Sequence, residues 1–253
     1  MEAPEYERMY RLESWHWWFV SRRRLATALV EERLDVNPQQ RILDVGCGTG
    51  GNMAALKQWG RVTGLDLSPL SLELARRRGP NQLLQASALT LPHPDSTFDL
   101  VTAFDVLYHQ WVRNDDQAMR EIYRILRPAG WLLITDSALP ALWSKHDLTF
   151  QARQRYSLGD IHGKLTRAGF KPYQCSYTFT TLLPVTVAVR LLMRWLPFPA
   201  DVELRPPPGW LNRLLIGISS WEAWWLRRRH TLPIGSSLIC LAQKPPQKLQ
   251  EQT

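Results

Sequence analysis

Residues 41–51 read Arg-Ile-Leu-Asp-Val-Gly-Cys-Gly-Thr-Gly-Gly, and fifteen residues past Gly51 a second short apolar stretch, beginning at Val62, ends on Asp66. A strand that runs straight into alternating glycines (Gly46, Gly48, Gly50) and then into a helical pattern turns sharply. Its backbone can approach a ligand where any side chain would collide. The helix beyond the loop offers unpaired N–H groups. A carboxylate at the end of the next strand can accept hydrogen bonds from two vicinal ribose hydroxyls. These features together describe a pocket for a nucleoside-containing cofactor.

Gly46-x-Gly48-x-x-Gly51 also satisfies the dinucleotide fingerprint by spacing, a weak match because glycine loops are common. Asp44, two residues before the first glycine, argues against that reading. A carboxylate pointing into the loop would crowd a pyrophosphate and suits a ligand carrying an ammonium and a sulfonium. Further motifs follow in order: Leu91-Pro-His-Pro-Asp-Ser-Thr-Phe98-Asp99-Leu-Val101, Asp105-Val-Leu-Tyr-His109 and Glu121-Ile-Tyr-Arg124-Ile-Leu-Arg-Pro128-Ala-Gly130. Over residues 38–137 the chain resembles the class I S-adenosylmethionine (SAM) methyltransferases. The likeness is to methyltransferase type 11 and the ubiquinone/menaquinone methyltransferases in particular.

Apolar stretches at 41–46, 62–66, 82–86, 98–104 and 130–136 alternate with helical patterns, which predicts a doubly wound α/β fold with a parallel sheet. Strand-like stretches follow at 173–181 and 236–243. The resemblance makes these the last two of a seven-stranded, Rossmann-like sheet, the final one antiparallel. Ser157-Leu-Gly-Asp160 reads as a capping box opening a helix that stops near Gly169. The expected organisation is an N-terminal helical lid over 1–37, a SAM-binding core over 38–181, a helical insertion over 182–234, and a last strand and tail over 235–253. The insertion holds two helical patterns, Leu182–Leu196 and Gly209–His230, around a proline-rich link with Pro197, Pro199, Pro206, Pro207 and Pro208. The tail after Lys244 is polar and reads as frayed.

The resemblance also implies site roles. Asp44 and the backbone of Gly46, Cys47 and Gly48 would hold the methionine portion of SAM, and Asp66 the ribose. Leu67 would pack on the adenine, Ser87 and Ala88 would meet its edge, and Phe104 joins these cofactor contacts. The chain departs from the family at Ser87, where relatives usually carry Asp, and at Ala129, where they carry Gly. His109 follows the fourth strand at the carboxyl edge of the sheet. It is a candidate general base for an acceptor hydroxyl, or else a residue that only packs after the strand. The block Trp15-His-Trp-Trp18 followed by Arg22-Arg-Arg24 makes His16, Trp17 and Trp18 candidate acceptor contacts if it forms a lid. The alternative is a helix packing its aromatics while the arginines face water. Asp105 and Asp136 read as residues that orient loops.

The 253 residues are 45% hydrophobic, enough for one sizeable core with an appended subdomain. Cys47, Cys175 and Cys240 form no CxxC pair, and no His/Cys/carboxylate cluster has metal-ligand spacing, so neither disulfide nor metal is expected. The opening Met1-Glu-Ala-Pro-Glu5 lacks the apolar core of a signal peptide. No apolar run approaches a spanning length of roughly 18 residues. The expected location is the cytoplasm, with peripheral contact at the inner membrane surface through 182–230. Net charge is +8 and concentrates late, since residues 181–253 hold nine Lys/Arg against four acids. Trp210, Leu211, Leu214, Leu215, Ile218, Trp221 and Trp225 recur at helical spacing near Arg227–Arg229. Such a stripe either packs on its own domain or faces lipid or a greasy substrate. The function expected is methyl transfer from SAM to a small-molecule or lipid-like acceptor at oxygen. RNA or protein methylation by the basic insertion is the alternative, although no RNA-binding module is legible and no nucleic-acid partner is expected.

Overall fold

Ile42, Leu43 and Val45 are apolar without alternation, and a strand so composed needs cover on both faces. β1 (Arg41–Val45) pairs along its edges with β2 (Arg61–Asp66) and β4 (Phe98–Phe104), both parallel to it, and has helices over its faces. The structure, a computed structural model, describes residues 3–79, 82–195 and 206–247. The remaining strands are β3 (Gln82–Gln85), β5 (Leu126–Ser137), β6 (Lys171–Thr178) and β7 (Ser237–Gln243). Their order is β3-β2-β1-β4-β5-β7-β6, and β7 runs antiparallel between β5 and β6. This is the seven-stranded doubly wound sheet expected, with its final strand antiparallel. The order reverses between β1 and β4, and ligands bind outside the carboxyl ends of strands at such a point.

Helices cover both faces; the described residues also form α1 (Ala3–Leu12), α4 (Pro69–Arg76) and α6 (Lys145–Thr149). On one, α5 (Asp115–Ile125) and α7 (Leu158–Arg167) bury Ile122, Ile125, Ile161 and Leu165 against Val45, Val101 and Ile134. On the other, α2 (Trp17–Val30) and α9 (Gly209–Arg227) bury Leu25, Leu29 and Leu226 against Ile42, Leu133 and Ile239. The capping box forms as read: Ser157 Oγ accepts from Asp160 N and the Asp160 carboxylate accepts from Ser157 N.

Four elements differ in extent from the sequence reading. The helical pattern after the glycine loop is a single turn, α3 (Met53–Leu56). β5 starts at Leu126, paired with Phe98 ahead of a register shift. β6 stops at Thr178 because Phe179 turns with φ +57°. α8 (Leu183–Trp195) and α9 form the two helices of the insertion, and α9 ends at Arg227, before the expected His230. Pro197 and Pro199 of the link, and 248–253 of the tail, lie outside the described residues. The α9 stripe divides: Leu215 and Ile218 pack against the core, whereas Trp210, Leu214 and Trp221 face outward, and the buried side also carries Asn212, Ser219 and Glu222.

Candidate active site

The glycine loop begins where β1 ends. Gly46 and Gly48 have φ of +66° and +55°, a region a side chain resists. A Cβ on Gly46 would lie 2.5 Å from Val106 Cγ2. Asp66, at the end of β2, ties the loop down: Oδ2 accepts from Gly48 N at 2.8 Å and Oδ1 from Ser68 N at 2.8 Å. These residues wall a cavity of about 150 Å³ whose lining also includes Cys47, Leu67, Ser87, Ala88 and Phe104. The structure thus brings the cofactor residues read from the sequence to one cavity, with one exception. Asp44 is fully buried beneath the loop and is absent from the wall.

The buried carboxylates decide what this cavity suits. Asp44 Oδ1 accepts from Thr102 Oγ1 at 2.7 Å, while its Oδ2 has no hydrogen-bond partner among the described residues. Burial pushes Asp44 up to about 7. Burial likewise raises Asp66, against the N–H groups of Ser68 and Gly48, and raises Glu13, against the Thr49 hydroxyl. An unsatisfied buried carboxylate oxygen amid two further carboxylates favours a positively charged ligand. Asp66 retains lone pairs for two hydroxyls, and Leu67, 39% exposed, offers a flat apolar contact. Ser87 Oγ already accepts from Leu89 N at 3.1 Å. The set fits SAM: a cation at the loop, a ribose at Asp66 and a base against Leu67.

A second cavity, of about 260 Å³, adjoins the first. Trp17 of α2, Phe179, Leu182, Val185 and Val189 of α8 and Leu215 of α9 make most of its wall apolar, and Arg155 and Arg190 contribute charge. The two cavities share Trp18, Phe19, Asp105, Tyr108 and Phe150. Asp105 is the only charged side chain among the described residues common to both. It follows β4 with φ +57° and pairs with Arg22 of α2, whose guanidinium lies 4.5 Å from the Trp18 ring centroid. Burial raises the Asp105 carboxyl and the Arg22 charge opposes that shift. Asp136 is also buried, and burial followed by the nearby Asp105 charge holds its carboxyl well above the ordinary range.

Two histidine candidates from sequence do not line the second cavity. His16 is fully buried as the N-cap of α2, its Nδ1 accepting from Trp18 N at 3.4 Å, and it lines neither cavity. That corrects its assignment as an acceptor contact. His109 lines the cofactor cavity only; its Nδ1 accepts from Trp111 N at 3.2 Å, and burial lowers it to about 4. Trp17 and Trp18 do line the second cavity. Of the arginine cluster, Arg24 is exposed but Arg22 is buried. Glu13, Arg22 and Tyr108 were missed. Arg22 had one signal: it stands four residues after Trp18, on the same helical face.

The family model described as a methyltransferase domain matches residues 43–134. Methyltransferase GfsG of Streptomyces halstedii is 40% identical over 119 residues, which are 44% of this chain and 42% of that protein. The chain therefore spans less than half of that relative's length. Demethylmenaquinone methyltransferase of Listeria welshimeri is 31% identical over 183 residues, 68% of this chain and 73% of that one. Among solved structures, a SAM-dependent methyltransferase of Thermotoga maritima, a possible histamine N-methyltransferase, superimposes with a TM-score of 0.59 at 20% identity. It covers 95% of each chain and shows a shared fold.

Proposed function

The chain belongs to the class I SAM-dependent methyltransferases, and we propose that it transfers the methyl group to an oxygen of a small, lipid-like acceptor seated in the second cavity. Bound in the first cavity, SAM supplies a methyl group activated on a positively charged sulfur. What the chain itself contributes is position and dryness. Trp18 and Phe19 roof the seam between the cavities, where water has to be kept out of an in-line displacement. The single observation that carries this reading is the seam: one mainly apolar cavity lies against the cofactor cavity and shares five lining side chains with it.

An acceptor hydroxyl has to lose a proton, so a base within reach of the seam matters. We assign that role to Asp105. It lines both cavities, and burial makes its carboxylate a stronger base than one in water. His109 as the base is less well supported, because it lines only the cofactor side and burial weakens its basicity. The reading also places the protein in the cytoplasm, at the inner membrane surface through 182–230; a reducing compartment suits its three free cysteines.

The test is transfer of tritiated methyl from SAM to cell extract that has been split into solvent-soluble, nucleic-acid and protein fractions. Label is expected in the solvent-soluble fraction, on a product stable to conditions that hydrolyse methyl esters of proteins. Label confined to the nucleic-acid or protein fraction would overturn the small-acceptor reading.

A further inference from the structure

α9 buries its polar side. Asn212, Ser219 and Glu222 are buried beside Ala223 and Leu226, while Trp210, Leu214, Trp221 and Trp224 are 65%, 52%, 48% and 46% exposed. The exposed four are spaced four, seven and three residues apart, one stripe along the helix. A buried polar group and an exposed large apolar patch are the informative departures from ordinary burial, and here they occupy opposite faces of one helix.

Specific bonds fix this phase. Asn212 Oδ1 accepts from Trp17 N at 2.8 Å and its Nδ2 donates to Trp15 O at 2.9 Å. The Glu222 carboxylate accepts from Phe179 N at 2.6 Å, Thr181 N at 2.9 Å and Thr181 Oγ1 at 2.7 Å. Turning α9 to bury its tryptophans would break all of these and strand a buried carboxylate. The tryptophans are thus held outward by interactions that have nothing to do with them.

The charge around the stripe has one sign. Every exposed charged residue from Gly209 through Arg229 is an arginine (Arg213, Arg227, Arg228, Arg229), and the one acid, Glu222, is buried. Arg227 and Arg229 face Glu31 and Glu32 at 3.2 and 3.8 Å. Arg213 and Arg228 make no ion pair among the described residues, and Arg228 lies 3.7 Å over the Trp224 ring. Tryptophans take the water–lipid boundary because one end of the ring is apolar and the other wet, and arginines beside them meet anionic headgroups. α8 adds Val185 and Val189, which line the second cavity and are 62% and 37% exposed. The cavity wall therefore reaches the surface within the insertion, on α8. No helix among the described residues is long and apolar enough to cross a membrane.

We propose that the outward face of α9 docks on an anionic phospholipid bilayer. The inference rests on the methyltransferase reading in one respect only: docking there would let a lipid-like acceptor enter the second cavity from the bilayer past α8. Sedimentation of the full chain with vesicles tests it. The vesicles are either pure phosphatidylcholine or three parts phosphatidylcholine to one part phosphatidylglycerol. Binding is expected to the anionic vesicles, weakening as salt rises, with tryptophan fluorescence quenched by brominated acyl chains. Trp221→Asp with Trp224→Asp, and separately Arg213→Glu with Arg228→Glu, should each weaken binding roughly tenfold or more. SAM affinity measured on the same variants should hold, which reports an intact fold and separates failure of docking from failure of the methyltransferase reading. Absence of binding by the unaltered chain, or equal binding by the variants, overturns the proposal. So does a dimer of the unaltered chain that Trp221→Asp dissociates without vesicle binding, which would assign the face to a second copy.

Discussion

The cofactor cavity is built around strand ends and the glycine loop of residues 46–48, with Tyr6, Met9, Trp18, Phe19 and Arg22 adding side chains from the N-terminal helices, whereas the second cavity is walled largely by side chains outside β1–β4: Trp17 and Trp18 from α2, Val185 and Val189 from α8, Leu215 from α9. The first is held by bonds the fold makes anyway, such as Asp66 to Gly48 N and Ser68 N. The second is held by buried polar anchors on peripheral helices, such as Asn212 and Glu222. A site made from backbone constrains which residues can build it. A site made from helix faces can change its contents while the sheet stays the same. In the proposed reading, cofactor binding therefore rests on the sheet and its glycine loop, and acceptor choice on the peripheral helices.

The largest expected effect lies at Asp105, where the two cavities meet. Asp105→Asn keeps the size of the side chain and a group that can accept from Arg22, but cannot take a proton. Turnover with the labelled acceptor should fall roughly 10²–10⁴-fold, with SAM affinity within a few-fold of the unaltered chain. The rising limb of the pH–rate profile should also disappear. Equal losses of SAM binding and turnover would mean that the Arg22–Asp105 pair holds the cover of the cofactor cavity and does not serve the acceptor.

Asp66→Ala tests the cofactor side alone. Losing two charge-assisted hydrogen bonds to ribose should cost roughly 3–5 kcal/mol of SAM affinity, a hundredfold or more in Kd. The loop tie to Gly48 goes with it. Unchanged affinity by calorimetry in a folded variant would remove Asp66 from the site, and NADH competing with SAM would revive the dinucleotide reading. Glu222→Ala tests the other side. It strands two N–H groups and a hydroxyl that the carboxylate now satisfies. Stability should drop by about 3 kcal/mol, roughly 6–12 °C in Tm for a chain of this size, with SAM affinity retained below the transition. A loss of SAM binding there would show that the two cavities are not independently built.

The same contrast explains what the sequence revealed. Gly46, Gly48 and Asp66 are legible because φ above zero and a strand-end acceptor each demand particular residue types. The doubly wound α/β class followed from strands alternating with helical patterns, and the antiparallel last strand from the resemblance. The orientation of α9 was not legible. Its tryptophans mark a stripe, but the phase is set by Asn212 and Glu222, and their partners Trp15, Trp17, Phe179 and Thr181 become neighbours only in the folded chain. Arg22 was hidden for the same reason, since its partner Asp105 is 83 residues away. His109 shows how far position alone reaches: its place after a strand predicted a cavity residue, and it lines the cofactor cavity, but which cavity it meets is decided by the turn that follows.

The smallest effect expected is a pH dependence that belongs to the glycine loop. Burial holds Asp44 at about 7, against about 3.9 in an unfolded chain. The folded state thus holds this proton more tightly. Its contribution favours the native state below about pH 4, declines as pH rises to about 7, and is constant above. A positively charged ligand favours the ionised form, so SAM binding should expel the proton. Affinity should rise with pH by at most about tenfold per unit and level off above about 7. Glu13 and Asp66 are also raised by burial and add to the slope, which is why the comparison with Asp44→Asn is needed. Calorimetry in buffers of different ionisation enthalpy should show that variant releasing about half a proton fewer per SAM at pH 7, the difference growing toward one as pH falls to about 6. An unchanged proton count would mean that Asp44, beneath the loop, does not sense the ligand charge, and would leave Glu13 and Asp66 as the carboxylates that do.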